Sequence, residues 1–132
     1  MANKQLIFAW MALLFLGGCA DNRPVIGPYP KTGMASWYSD KITTTGEKSD
    51  GNYLTCAMRK IDFGKHYKVC NIANNKYVVV RHNDFGPSKC SYDKGRIVDL
   101  SRSAFLRIAD LKDGVINVTV EEVSEQQLSR IK

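Results

Sequence analysis

The stretch Tyr77-Val78-Val79-Val80-Arg81-His82-Asn83-Asp84-Phe85-Gly86-Pro87 decides how this chain is read. A valine-rich strand runs into an Asn-Asp pair and stops at a Gly-Pro turn. Branched side chains favour the pleated, half-buried surface of a sheet, and Gly-Pro punctuates it. An acid at the C-terminal mouth of a buried strand is well placed for chemistry. Asp84 is therefore a candidate functional residue, with an Asx-turn as the plain alternative.

Outward from this stretch, the chain reads as short strands. Residues 67–72 alternate with a period of two. Asn74 and Asn75, which tolerate positive φ, separate them from the strand at 77–81, so the pair reads as a hairpin. Residues 96–100 form another strand, near whose end stands a second acid, Asp99; helix capping or a hydrogen bond inside the fold is its plain reading. Ser101 is a helix N-cap, and Ala104, Phe105, Ile108 and Ala109 share one side of a helix over 102–110. Gly114 marks a turn before the last strand at 115–120. Residues 34–38 and 54–58 supply the first two strands. The loop between them, residues 39–52, is long for a compact domain, and such loops are usually functional or mobile. Six short strands and one helix fit a small closed β-barrel, because closure removes bare edges. Periodicity does not give the strand order.

The chain has 132 residues, enough for one compact domain; its 24% charged and 44% hydrophobic residues are ordinary for a globular protein. At the N-terminus Lys4 precedes an apolar run, Leu6 to Leu16, too short to span a bilayer, so residues 1–18 read as a cleaved signal. Leu16-Gly17-Gly18-Cys19 resembles a bacterial lipobox, which makes Cys19 the lipid-modified first residue of the mature chain. Ala20 follows it, not Asp. By resemblance to Gram-negative lipoproteins, that sorts the protein to the periplasmic face of the outer membrane. Residues 19–32, with three prolines and a glycine, form a tether. The folded domain then covers 33–123, and 124–132 is an exposed polar tail.

The formal charge is +6, or +5 once Lys4 leaves with the signal. A basic surface suits an anionic partner. Export argues against nucleic acid and leaves cell-wall carboxylates and membrane phosphates; the plain alternative is that the charge only aids solubility. Four cysteines are present. With Cys19 acylated, Cys56, Cys70 and Cys90 remain in an oxidising compartment, which predicts one disulfide and one thiol. Three pairings are possible; Cys56 with Cys90 is preferred, as both flank the same cleft. A zinc site would draw on His66 or His82, but no Cys-x-x-Cys or His-x-x-x-His spacing supports it, so neither metal nor cofactor is expected.

Five stretches resemble the rare lipoprotein A (RlpA) family, in the family's own order. They are Gly33-Met34-Ala35-Ser36-Trp37-Tyr38, Leu54-Thr55-Cys56-Ala57-Met58, Phe63-Gly64, Val78 to Pro87, and Gly95-Arg96-Ile97-Val98-Asp99-Leu100-Ser101. The segment from Asp99 to Val123 is also similar to the first domain of bacterial expansins. Both resemblances imply a mainly-β fold, the six-stranded double-psi β-barrel. The first implies an endolytic lytic transglycosylase that cuts peptidoglycan between N-acetylmuramic acid and N-acetylglucosamine. One carboxyl protonates the leaving oxygen, an oxocarbenium-like state forms, and the carboxylate accepts the proton of the sugar's C6 hydroxyl to leave a 1,6-anhydro ring. Only one acid/base is needed, unlike the carboxyl pair of ordinary glycosidases.

Asp84 matches the family's catalytic aspartate, and Asp99 is the second acid. To start as an acid near neutral pH, Asp84 is expected to be raised, by burial or by Asp99. Tyr38, Thr55, Arg81 and Asn83 are the expected substrate contacts; Trp37 either stacks on sugars or packs in the core. One departure stands out. The family's Thr-Ala-Ala-His is Thr55-Cys56-Ala57-Met58 here, and Met58 carries no proton. Acid/base groups contribute ~10²–10⁴-fold, so much of the rate is at stake. A second is the lack of the C-terminal peptidoglycan-binding domain of longer relatives, which leaves binding to the barrel groove. The rival reading is a non-catalytic, expansin-like peptidoglycan-binding lipoprotein, and a weaker one is a structural envelope lipoprotein. Glycan strands, and the outer membrane through the lipid, are the expected partners; no protein partner is indicated.

Overall fold

A computed structural model describes residues 31–39, 41–49 and 52–131. The signal, Cys19 and the tether as far as residue 30 lie outside the described residues. Six strands form: β1 (Lys31–Tyr38), β2 (Thr55–Met58), β3 (His66–Asn71), β4 (Tyr77–Phe85), β5 (Arg96–Ser101) and β6 (Ile116–Val123). Helices α1 (Lys89–Asp93), α2 (Arg102–Ile108) and α3 (Glu125–Ile131) and a 3-10 turn at Leu111–Asp113 complete the described part. The strands close into a barrel in the order β1-β5-β2-β4-β3-β6. β1 pairs with β5, and β2 with β4, in parallel; the other pairings are antiparallel.

The period-two pattern explains which side chains fill the barrel. On β4, Val78, Val80 and His82 are buried while the alternating Tyr77, Val79 and Arg81 are partly exposed. Tyr67, Val69, Val80, Val98, Leu100, Val118 and Val120 are wholly buried. α2 adds Ala104, Phe105 and Ile108, all buried. Ser101 fixes where that helix starts. Its Oγ accepts from Ala104 N (3.3 Å) and Thr55 N (3.2 Å) and donates to the Tyr53 carbonyl (2.7 Å), so one hydroxyl ties the cap to the entry of β2. Gly33 has no room for a side chain: a Cβ there would lie 2.8 Å from Ile97 Cγ2 and 2.9 Å from the Gly95 carbonyl.

Several sequence expectations change. β4 runs on through the Asn-Asp pair to Phe85. α2 ends at Ile108, because Ala109 is extended. The polar tail, which buries no residue, folds as α3, opened by a reciprocal box in which Gln127 N donates to Ser124 Oγ (3.2 Å) and Ser124 N to Gln127 Oε1 (2.9 Å). The Cys56–Cys90 disulfide is absent. Cys56 is buried inside the barrel and Cys90 is exposed on α1, and both are free thiols.

Candidate active site

The register of the barrel assembles the site. Ser36 on β1 pairs with Asp99 on β5, Asp99 with Ala57 on β2, and Ala57 with Asp84 on β4. Register partners present their side chains on one face. Both acids therefore flank the small Ala57, with their backbones two strand spacings, about 10 Å, apart. Two residues along, Tyr38 pairs with Ser101, and Thr55 with Arg81. The expected contacts Tyr38, Thr55 and Arg81 thus share the face of the acids.

Asn83 makes this arrangement possible. Arg81 and Asp84 are an odd number of residues apart and would point to opposite faces of a regular strand. The register against β2 shifts between Cys56 and Ala57, which leaves Asn83 as a bulge and turns Asp84 to the face of Arg81. Asn83 is itself buried, and its Oδ1 has no hydrogen-bond partner among the described residues.

The two oxygens of Asp84 have different surroundings. Oδ1 accepts from Thr44 N (2.9 Å), Thr44 Oγ1 (2.8 Å) and Phe85 N (2.9 Å). Oδ2 receives no well-formed hydrogen bond and faces the Lys41 ammonium at 2.5 Å. Burial pushes the carboxyl up, but the Lys41 ammonium and the hydrogen bonds from Thr44 outweigh it, and Asp84 lies below the ordinary carboxylate range. The expected raised acid is thus overturned: Lys41 and Thr44 come from the long loop and meet Asp84 only in the fold. Asp99 accepts from Ser36 Oγ (2.8 Å) and lies 3.2 Å from Arg96 Nε, both on its Oδ1. Its Oδ2 approaches Gly86, within 3.9 Å of where a Cβ would sit.

The loop is stapled to β4. Arg81 holds Glu47 in a bidentate pair at 2.8 and 2.5 Å, and Thr45 N donates to the Asn83 carbonyl. The Arg81 hydrogen bonds bring Glu47 from 4.5 down to about 2. Arg81 thus orders the loop that reaches Asp84. Tyr38 lies beneath Lys41, whose Nζ is 4.3 Å from the ring centroid, and its hydroxyl is 3.5 Å from Thr55 Oγ1. Burial pushes the phenol well above its ordinary value, so it stays neutral. Trp37 packs against the core and donates Nε1 to the Leu111 carbonyl.

Met58 is buried in the core cluster. His82 does not stand in for the family's missing histidine. His66 is on β3, paired with Arg81. His82 is wholly buried and directs Nε2 to the Asp84 carbonyl (2.8 Å), not to its carboxylate, and Nδ1 to Asp62 Oδ1 (2.7 Å). Both ring nitrogens face acceptors, so His82 braces the backbone under Asp84. Burial pushes Asp62 up, but hydrogen bonds from Tyr67 and His82 hold it below the ordinary range. Lys41, Thr44 and Asp62 were not singled out in the sequence; only the length of the 39–52 loop hinted at the first two.

The sequence model of the lytic transglycolase family matches residues 30–120. A probable endolytic peptidoglycan transglycosylase RlpA of Synechocystis is 41% identical over 97 residues, 70% of this chain and 29% of the relative. The endolytic peptidoglycan transglycosylase RlpA of Vibrio cholerae is 36% identical, over 73% of this chain and 36% of its own. That of Neisseria meningitidis is 31% identical, over 74% and 41%. The chain therefore spans well under half the length of these relatives. Among solved structures, the Streptomyces papain inhibitor superposes with a TM-score of 0.59 at 23% identity, over 76% of this chain and 98% of its own. A mutant Clavibacter michiganensis expansin in complex with cellohexaose gives 0.56 at 19% identity, over 74% and 52%. At such identities these two speak for the double-psi barrel alone.

Proposed function

The chain belongs to the lytic transglycolase family, and on that premise we propose that it cleaves peptidoglycan glycan strands as an endolytic lytic transglycosylase with Asp84 as acid/base. The observation that carries this reading is the asymmetric Asp84 carboxylate. Three donors anchor Oδ1, while Oδ2 has only a displaceable partner, Lys41. Oδ2 is then the atom that trades the proton. Entering glycan draws the Lys41 ammonium, whose side chain is 39% exposed, away from Oδ2. The carboxyl takes up a proton and gives it to the glycosidic oxygen. The resulting carboxylate accepts the C6 hydroxyl proton, and the C6 oxygen closes on C1 to form the 1,6-anhydro ring. Asp99, fixed by Ser36 and Arg96, adds negative potential beside the oxocarbenium-like centre.

The test is digestion of sacculi, intact and stripped of stem peptides, followed by mass analysis of the released sugars. Products ending in 1,6-anhydromuramic acid support the reading. A second reading, the non-catalytic expansin-like binder, is favoured by Met58; it predicts co-sedimentation with sacculi and no such products. We further propose that Cys19 is lipidated and anchors the protein at the periplasmic face of the outer membrane. Among the described residues no helix is long and apolar enough to cross a membrane. Cys19→Ser should release the protein from membranes; unchanged membrane association rejects the anchor.

A further inference from the structure

A groove lies beside the acids rather than at them. It has a volume of about 560 Å³ and is walled by residues of β2, β3, β4, α2 and α3. Arg81, Val79 and Tyr77 line it along β4, so it runs on the face that carries Asp84, away from that residue. Thr55 and Arg81 belong both to the groove and to the row next to the acids. From Arg81 to Tyr77 it extends about 13 Å.

Its lining has the chemistry of a saccharide site. Tyr53 is 60% exposed and Tyr77 48% exposed, two aromatic rings of the kind that cover the apolar face of a sugar; the Lys68 ammonium, 4.6 Å from the Tyr77 centroid, takes one face of that ring and leaves the other to a ligand. The Tyr53 carbonyl is held by Ser101 Oγ, so that platform is fixed at its backbone. Arg81 is occupied by Glu47. Arg107, on α2, is exposed and has no ion pair among the described residues, so it is the cation available to a ligand. Leu128 and Ile131 of α3 close the far wall, and both stand beyond the residues that match the family.

We propose that this groove is a second saccharide site, which binds a carboxylate-bearing sugar of the same glycan strand, with Arg107 on the carboxylate and Tyr77 under the ring. It rests on the reading that the chain acts on acidic glycan, and it adds a site that the acids do not form. The neighbouring site would hold the bond that breaks; this one would hold the strand in register.

The test uses the full chain carrying Asp84→Asn, so that no ligand is consumed, and measures binding to three probes. These are glycan strands stripped of stem peptides, which expose lactyl carboxylates; strands that keep their peptides; and neutral N-acetylglucosamine oligosaccharides. At least one acidic strand should bind about tenfold more tightly than the neutral probe, as a charge-assisted contact contributes. The stripped and intact arms tell a lactyl from a peptide carboxylate. Adding Arg107→Ala should remove that preference and leave the neutral probe unchanged, whereas Tyr77→Ala should weaken all three. Both positions are exposed, so thermal unfolding should match the parent. Equal binding of neutral and acidic probes, or full retention of acidic strand by both variants, overturns the proposal. Failure of the parent to release anhydro products overturns the catalytic reading instead and leaves this binding result standing.

Discussion

Removing the Lys41 charge should make Asp84 easier to protonate. In Lys41→Met the ammonium 2.5 Å from Oδ2 is replaced by an apolar end of similar length. Two unit charges about 4 Å apart interact by about 4 kcal/mol at an effective dielectric constant of about 20. The lysine side chain is 39% exposed, so solvent and the freedom of the long side chain reduce this to about 1 kcal/mol. That is about a fivefold rise in the protonated fraction of Asp84 at any pH above its titration range. The carboxyl carbon of Asp84, followed by NMR across the acid range, should titrate at higher pH than in the parent. Sacculus digestion at neutral pH should rise by a similar factor where protonation limits the rate. A Lys41→Met titration curve that overlays the parent curve would refute the argument that Lys41 sets this charge.

Ser101→Ala removes three hydrogen bonds made by one buried hydroxyl, and urea unfolding should report a loss of about 1–2 kcal/mol. Acid should loosen the active-site loop. Glu47, from 4.5 down to about 2, and Asp84, also lowered, each add stability that is full above the ordinary carboxylate range. It is lost as pH falls through their folded values, so unfolding midpoints should drop between about pH 4 and pH 2. Arg81→Met should shrink the Glu47 share of that drop. Among the described cysteines, Cys90 should react with a thiol reagent in the native protein and Cys56 only after unfolding, since Cys56 is buried and its thiol is pushed up by burial; rapid native labelling of Cys56 would contradict the barrel interior.

Much of the barrel is visible in local sequence because local rules produced it. The valines of β4, the Asn75 turn (φ 59°) and the Ser101 cap each depend on neighbours within a few residues. The α3 signal is equally local, a Ser124-x-x-Gln127 box, but the polar composition after it is that of a tail. What periodicity could not supply was pairing. Asp84 and Asp99 come together only because β2 runs parallel to β4 and antiparallel to β5, so that Ala57 joins them. The acids were therefore legible one at a time, as strand-end carboxylates, and the row was not.

The charge state of Asp84 shows a second kind of limit. Burial was a fair inference from the valine-rich strand, and burial does push the carboxyl up. Lys41 and Thr44 reverse the sign, from about 40 residues upstream in sequence. Nothing in their spacing announces that contact. Arg81 was likewise legible as a strand residue but not as the clamp on Glu47, because a bidentate pair depends on the path of a loop. The Cys56–Cys90 pairing failed for a related reason: it assumed that both thiols face one cleft, whereas Cys56 faces the interior.

The central claim is that the carboxyl of Asp84 breaks the glycan strand, and one comparison tests it most directly. Purified sacculi are digested with the parent chain and with Asp84→Asn, which keeps the size of the side chain and its Oδ1 acceptor but cannot trade the proton. The account predicts 1,6-anhydromuramic acid ends from the parent and a loss of at least ~10²-fold in the variant, with the fold kept and the unfolding free energy at neutral pH lower by about 1 kcal/mol, the share of the lost Lys41 pair. Anhydro products released by Asp84→Asn at the parent rate would contradict it.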